Sequence, residues 1–423
     1  MTEVLPERQA QVSGTKLGAW TIVLLVAASF GSALAFMVPM VFTLALRVDQ
    51  IDPGNQAFLG VIIGSGSVVT LLAAPLTGIL SDRTRSSWGR RRPFTVVGMI
   101  VGLASVPLMA FAPDLLTLTL SWAIASVGWG TAMGSIGNYQ ADRLPPSQRG
   151  MVAGLTGVMA QVAPIVGILL VGLVPRDPLM VILLPVLVGT PLVVLFVCFV
   201  HDEDSRGLVF DERLTAWGVV KSFGFSPREF PAFAWNWLGR FVFFGGISLT
   251  TTYSTFFYAH RMGIPVQDIA PIIAVVSVLG IGSSTLGALV GGSWSDRLGR
   301  RRPFILGSSV VFAVGAAVMA VTEALPVLLC GAALSSLGVA MFLAVNQAMV
   351  LDVLPHRETQ AGRFMAITAF SQKIPSAIAP MLAPFILAID SASATNYAAL
   401  YLITGSLVVV GGIIVVTKVR SVR

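Results

Sequence analysis

Twelve separate stretches of this chain stay apolar for about twenty residues or more: 18–46, 56–81, 94–112, 115–140, 150–174, 179–200, 233–258, 268–293, 303–322, 325–351, 361–388 and 397–417. A bilayer core about 30 Å thick takes about 20 helical residues to cross, and lipid offers no partner to an unpaired backbone amide. Each stretch is therefore expected to be a membrane-spanning helix, which makes the chain an all-α membrane protein. Its 423 residues are 55% hydrophobic and 11% charged, more apolar material than a soluble core of that length can cover. One connection is long and polar. Residues 201–232 hold Asp202, Glu203, Asp204, Arg206, Asp211, Glu212, Arg213, Lys221 and Arg228, and they divide the chain into halves 1–200 and 233–423 with six spans each. The first apolar run is too long for a signal-peptide core and is read as a retained helix. Cys198 and Cys330 lie in apolar runs, where small buried hydrophobes are expected rather than disulfide partners or metal ligands.

The net charge of +7 would suit a nucleic-acid binder, but position points elsewhere. With both termini inside, the segments on that side carry 22 of the 27 Lys and Arg residues, against Arg47, Arg176 and Arg261 outside. By the positive-inside rule the termini face the cytoplasm of a plasma or inner membrane, and the chain's partners are a lipid bilayer and a small solute, not nucleic acid. Arg240 and Lys373 remain, both within expected helices.

The halves repeat one another. Gly78-Ile-Leu-Ser-Asp82-Arg83 and Gly89-Arg90-Arg91-Arg92-Pro93-Phe94 recur as Gly292-Ser-Trp-Ser-Asp296-Arg297 and Gly299-Arg300-Arg301-Arg302-Pro303-Phe304. A shift of 210 carries Asp142-x-Leu144-Pro145 onto Asp352-x-Leu354-Pro355, and a shift of 211 carries Gln161-x-x-Pro164 onto Gln372-x-x-Pro375. Duplicated halves are how many carriers build two alternating states around one midplane site.

On these residues the chain resembles the major facilitator superfamily, whose signature is Gly-x-x-x-Asp-Arg followed by Gly-Arg-Arg between the second and third helices, echoed between the eighth and ninth. The likeness runs over essentially the whole chain. It implies twelve transmembrane helices in two pseudo-symmetric six-helix bundles, no cofactor, and transport by alternating access. The wider spacing from Asp82 to Phe94 resembles the corresponding loop of plant sucrose transporters and their glycoside-cation symporter relatives. A carboxylate at a helix end beside an arginine cluster can form charge-assisted hydrogen bonds that latch helices together. Asp142 and Asp352 are the natural partners of Arg90 to Arg92 and Arg300 to Arg302. The family resemblance implies that Asp82, Arg83, Gly89, Arg90, Arg91 and Asp142, with Asp296, Arg300, Arg301 and Asp352, form a cytoplasmic gate. The plainer alternative is that the arginines only set topology.

A substrate site is sought among polar groups at membrane depth, each costly unless paired or facing water. No Asp or Glu lies in the middle of any span: Asp82, Asp142, Asp296 and Asp352 are at cytoplasmic ends, while Asp114, Glu323 and Asp390 belong to outside connections. Simple proton coupling through a carboxylate is therefore not visible. Lys373 lies about 15 Å into the eleventh span at 1.5 Å per residue, where it can bind an anionic group or titrate as a coupling residue; the structural alternative is a lysine bonding to helix carbonyls near Pro375 or snorkelling into a water-filled cavity. Arg240 is shallower, and an interface anchor beside Trp235 and Trp237 is an equal reading. Asn138, Gln161, Asn346, Gln347 and Gln372 offer amides for hydroxyl groups. Trp129 and Tyr253 can stack on a solute or simply pack. Gly60-x-x-x-Gly64 and Gly287-x-x-x-Gly291 are read as scaffold positions for close helix packing.

The leading expectation is a secondary transporter for a small polar solute, a sugar, glycoside or organic anion, coupled to a proton or sodium ion. An efflux antiporter for amphipathic compounds is the alternative, weakened because Ala163-Pro164-Ile-Val-Gly167 is an imperfect version of the antiporter-like Gly-Pro-x-x-Gly-Gly element. A non-transporting sensor or scaffold is a third. No His-carboxylate set, metal cluster or phosphate loop points to an enzyme; His201, His260 and His356 stand apart from one another.

Overall fold

The computed structural model of the protein describes residues 16–174, 177–207, 224–355, 361–389 and 396–419. Arg176, Asp211, Glu212, Arg213, Lys221, His356 and Asp390 lie outside them. Twelve long helices follow in order: α1 Ala19–Ile51, α2 Leu59–Asp82, α3 Arg92–Ala110, α4 Leu115–Arg143, α5 Pro146–Gly172, α6 Pro178–Phe199, α7 Pro231–Met262, α8 Ala270–Leu298, α9 Arg302–Val321, α10 Leu325–Asp352, α11 Ala361–Leu387 and α12 Tyr397–Lys418. Among the described residues there is no strand. Ten of the helices have the length and apolarity of a membrane span; α7 and α11 fall short. These two carry Asn236 and Arg240, and Gln372 and Lys373, so the apolarity deficit itself marks where polar side chains have been placed.

Helix ends follow local chemistry. Asp114 caps α4 by accepting the Thr117 backbone N–H at 2.8 Å, and Asn396 caps α12 by accepting that of Ala399 at 2.9 Å. The first helix outruns its expected end at 46. Pro39 has no N–H to bond, and the chain passes it in a π turn, Pro39–Thr43, where the Leu44 N–H reaches back to the Pro39 carbonyl and the helix continues to Ile51.

Each half packs in the same way. In the first, α1 lies against α5 and α6, and α4 against α2 and α3, with α3 also on α6; in the second, α7 lies against α11 and α12, and α10 against α8 and α9, with α9 also on α12. Small residues sit at matching seams. Gly31 meets Gly189 where α1 crosses α6, and Gly239 meets Gly411 where α7 crosses α12; in each pair an added Cβ would overlap the partner's backbone. Without a hydrophobic drive between helices in lipid, such close backbone approach is a main source of association.

Hydrogen bonds between described residues join the halves toward the face opposite the arginine-rich loops. The Tyr253 hydroxyl accepts from the Gly60 N–H at 3.0 Å and donates to the Ala57 carbonyl, Thr255 donates to the Val41 carbonyl at 2.8 Å, and Tyr397 donates to Gln56 at 3.0 Å. Gly60 and Gly64 of α2 lie directly on α11: a Cβ on either would overlap the backbone oxygen of Pro380 or the Met381 side chain. This glycine pair therefore closes one half onto the other, whereas Gly287 and Gly291 seat α8 on α10 within one half. Toward the basic face the halves part. Gly134 and Gly137 on α4 and Gly154 and Gly157 on α5 have no atom within 4 Å of where a side chain would begin, and Lys373, one turn from the α11 seam residue Ala377, is exposed. The hydrogen bonds between the halves among the described residues thus lie at the face opposite the basic loops.

The two cysteines depart from expectation. Cys198 and Cys330 are exposed, because an apolar run does not say which of its faces meets lipid and which meets protein.

Tyr253→Phe leaves the Gly60 N–H and the Ala57 carbonyl without their shared partner and is expected to destabilise the closed face by about 1–3 kcal/mol. Spin labels on cysteines introduced at Gly54 and Asn396, with Cys198 and Cys330 replaced by Ser, should then show a distance distribution shifted to longer values. An unshifted distribution would remove Tyr253 from the closure.

Candidate functional site

At the basic face each half carries an arginine clamp. In the first, the Arg91 Nε donates to Asp142 at 2.8 Å, Nη1 to the Ser81 hydroxyl at 3.0 Å and Nη2 to Asp82. Arg90 pairs with Asp142 at 3.0 Å, and the Ser135 hydroxyl of α4 donates to the Arg91 carbonyl at 2.6 Å. Burial disfavours the Arg91 charge, but Asp142 and Asp82 more than offset it and hold the guanidinium above its ordinary value. A third carboxylate, absent from the sequence reading of the clamp, arrives from the connection after α6. Asp202 accepts the Arg91 backbone N–H at 3.1 Å and an Arg143 nitrogen at 2.9 Å, and Arg143 also pairs with Glu203. Gly89 is required here twice over: its φ is +82°, and a Cβ would overlap the Asp202 carboxylate. Ser205 completes the strap, donating to the Thr84 carbonyl at 2.7 Å and accepting the Ser86 N–H at 2.9 Å.

The second clamp is thinner. Arg301 bonds Asp352 at 2.6 Å and Asp296 at 3.0 Å. Its side chain is 22% exposed against 7% for Arg91. Arg300 is exposed and makes no ion pair with a described residue. Ser295, which matches Ser81 in the repeat, has a buried hydroxyl with no hydrogen-bond partner. Arg83 is half-buried in its loop.

At membrane depth the candidates separate into three groups. Trp129 and Tyr253 are closed in: Trp129 packs over Gly102 of α3 and Tyr253 sits in the seam between the halves, so neither has a ring face open to a solute in this state. Gln161, Gln347, Gln372 and Lys373 are exposed and make no hydrogen bond or ion pair with a described residue. Outside these groups, Asn138 is half-buried beside Thr77, Ser81 and Ser135 in a small cleft between α2 and α4.

Arg240 and Asn346 form the third group, and here the interface-anchor reading fails. The Arg240 side chain points into the second bundle and only 5% of the residue is exposed. Its Nε donates to the Ser371 hydroxyl of α11 at 3.0 Å and its Nη1 to the Asn346 Oδ1 of α10. The Asn346 amide donates in turn to Asn236 at 2.9 Å. The guanidinium carbon lies 5.2 Å from the Phe244 ring centre. Asn236, Arg240 and Phe244 recur every four residues and so share one face of α7. That spacing was the available signal for Asn236; Ser371 carried none. Trp235 instead holds the interface, with Lys418 over its ring at 5.3 Å.

Residues 19–288 and 283–422 match the profile of the Major Facilitator Superfamily, and the chain belongs to that family of membrane transporters. Over 114 residues it is 35% identical to the general alpha-glucoside permease of Schizosaccharomyces pombe, a segment that is 27% of this chain and 18% of that protein. Over 82 residues it is 29% identical to a sucrose transport protein of Oryza sativa subsp. japonica, 19% of this chain and 14% of the relative. The matched segments thus span less than a fifth of these relatives' length. In solved structures its fold is shared by a nucleoside transporter, with a TM-score of 0.75 at 14% identity over 95% of this chain and 99% of that one. A D-xylose-proton symporter gives 0.72 at 16% identity over 96% and 99%.

The two clamps predict unequal costs. Arg91→Ala strands two carboxylates beside a buried position and is expected to lower stability by about 2–3 kcal/mol, whereas Arg301→Ala, in a more hydrated site, should cost about 1 kcal/mol or less. Thermal unfolding of the two purified variants in detergent compares them directly, and equal losses would contradict the difference in burial.

Proposed function

We propose that the protein is a secondary transporter that moves a small polar solute, a sugar, glycoside or organic anion, by alternating access coupled to a proton or sodium ion. The observation that supports this is that Gln161, Gln347, Gln372 and Lys373, each on an otherwise apolar helix, are exposed and bonded to no described residue, and in this reading they line a vestibule open at the basic face. Polar side chains without protein partners are tolerated within a span only where water or a solute reaches them. The alpha-glucoside permease and sucrose transport protein among the relatives fit a hydroxylated solute. On the positive-inside rule the basic face is cytoplasmic, the membrane is the plasma or inner membrane, and the state is inward-open.

In this reading residues 1–200 and 233–423 are the rocking units and 201–232 is the cytoplasmic linker between them. The gate residues Asp82, Arg83, Gly89, Arg90, Arg91 and Asp142, and their counterparts Asp296, Arg300, Arg301 and Asp352, act at the cytoplasmic ends. Their ion pairs lie within each half, so they hold the second to fourth helices of a half as one body while the vestibule is open, rather than barring its mouth.

Proteoliposomes given labelled sugars, sugar acids or organic anions, with and without an inward proton or sodium gradient, test the reading. Accumulation above equilibrium that needs the gradient is the expected result, with Lys373→Ala lowering the rate about tenfold, equivalent to 1.4 kcal/mol, while the unfolding temperature stays close to wild type. Export of amphipathic compounds in place of uptake would replace the proposal with an efflux antiporter.

A further inference from the structure

Charge at membrane depth is unbalanced. The span interiors contain two cations, Arg240 and Lys373, and no Asp or Glu. Arg240 is nine-tenths buried, and every group it bonds is neutral: the Ser371 hydroxyl, the Asn346 amide and the face of Phe244. Removing a cation from water costs several kcal/mol even after relaxation, and neutral dipoles recover only part of that.

The partners are arranged to hold the guanidinium still. The Ser371 hydroxyl donates to the Thr368 carbonyl at 2.6 Å, which turns its lone pair toward Arg240. Asn346 gives its N–H to Asn236, which turns its oxygen toward Arg240. A guanidinium has five N–H donors. Two are engaged, and Nη2 makes no hydrogen bond to a described residue, so enough donors remain for a two-pronged hold on a carboxylate. Both partners are fully buried, and each is followed in sequence by an exposed glutamine, Gln347 and Gln372.

From this geometry, and resting on the transporter reading, we infer that Arg240 is the anion-binding residue of the transport site and that the solute carries a carboxylate beside its hydroxyl groups. The carboxylate supplies the negative charge the bundle lacks. The exposed amides Gln161, Gln347 and Gln372 serve the hydroxyls, and Lys373 keeps the approach to the site positive.

The test uses the full chain in detergent and matched compounds differing in one carboxylate: D-glucose with D-gluconate and D-glucuronate, and glycerol with D-glycerate, at equal ionic strength. At least one acid is expected to raise the unfolding temperature where its neutral counterpart does not. Arg240→Gln should weaken that acid's apparent affinity about thirtyfold or more, as expected when one partner of a buried charged pair is removed, and Arg240→Lys should retain part of it. Stabilisation by neutral compounds alone, by none of the acids, or by acids equally well in Arg240→Gln overturns the inference, and the first two outcomes need no variant to fold. Counterflow in proteoliposomes separates the two proposals. Movement of glucose without any acid binding leaves a transporter and removes the anion site, whereas Arg240-dependent acid binding without movement of any compound retains the site and removes transport.

Discussion

Hydrocarbon supplies no hydrogen-bond partner, and this absence governs the molecule at every level. It forces the backbone into helices that satisfy themselves, removes the solvent drive that would otherwise press those helices together, and makes each polar side chain at depth a cost that something must offset. The glycine seams answer the second demand. Gly31 with Gly189 and Gly239 with Gly411 let backbones touch where larger residues would hold them apart. The third demand is met in two ways: Arg240 is surrounded by hydroxyl and amide groups, while Lys373 and three glutamines are left exposed.

The duplication is kept in which helices pack together and broken in chemistry. Helix pairings repeat between the halves, and so does the arginine clamp, yet the first clamp has gained Asp202, Glu203 and the Ser205 strap from the connection after α6. That connection is therefore part of the first bundle's basic face as well as a tether to the second. The second half instead carries the buried Arg240 network, and the shifts that align the halves place no arginine or lysine opposite it. One half thus has its basic-face loop braced by ion pairs, while the other buries an arginine among neutral groups.

Legibility of the site from sequence varied with the reach of each interaction. Asp142 with Arg91 and Asp352 with Arg301 were readable because a repeated motif named both partners. Asp202 was not, because nothing in a run of linker carboxylates marks the one that folds back onto Gly89. For Arg240 the sequence left a site residue and an interface anchor equally open, and its side chain turns inward to Asn346 and Ser371. Trp129 and Tyr253 were offered as stacking surfaces and lie closed inside the packing.

The sequence by itself determined the twelve helices, the duplication, the sidedness of basic charge and the lack of carboxylates at depth, because hydropathy and charge accumulate along each segment and need no knowledge of its neighbours. Only the tertiary structure decided which amides are exposed, that Gly60 and Gly64 close the halves on one another, and that Arg240 is ringed by neutral groups. Those outcomes depend on how each helix is rotated about its axis. In a membrane the lipid-facing and protein-facing sides are almost equally apolar, so the helical period that reveals rotation in a soluble protein is nearly silent here.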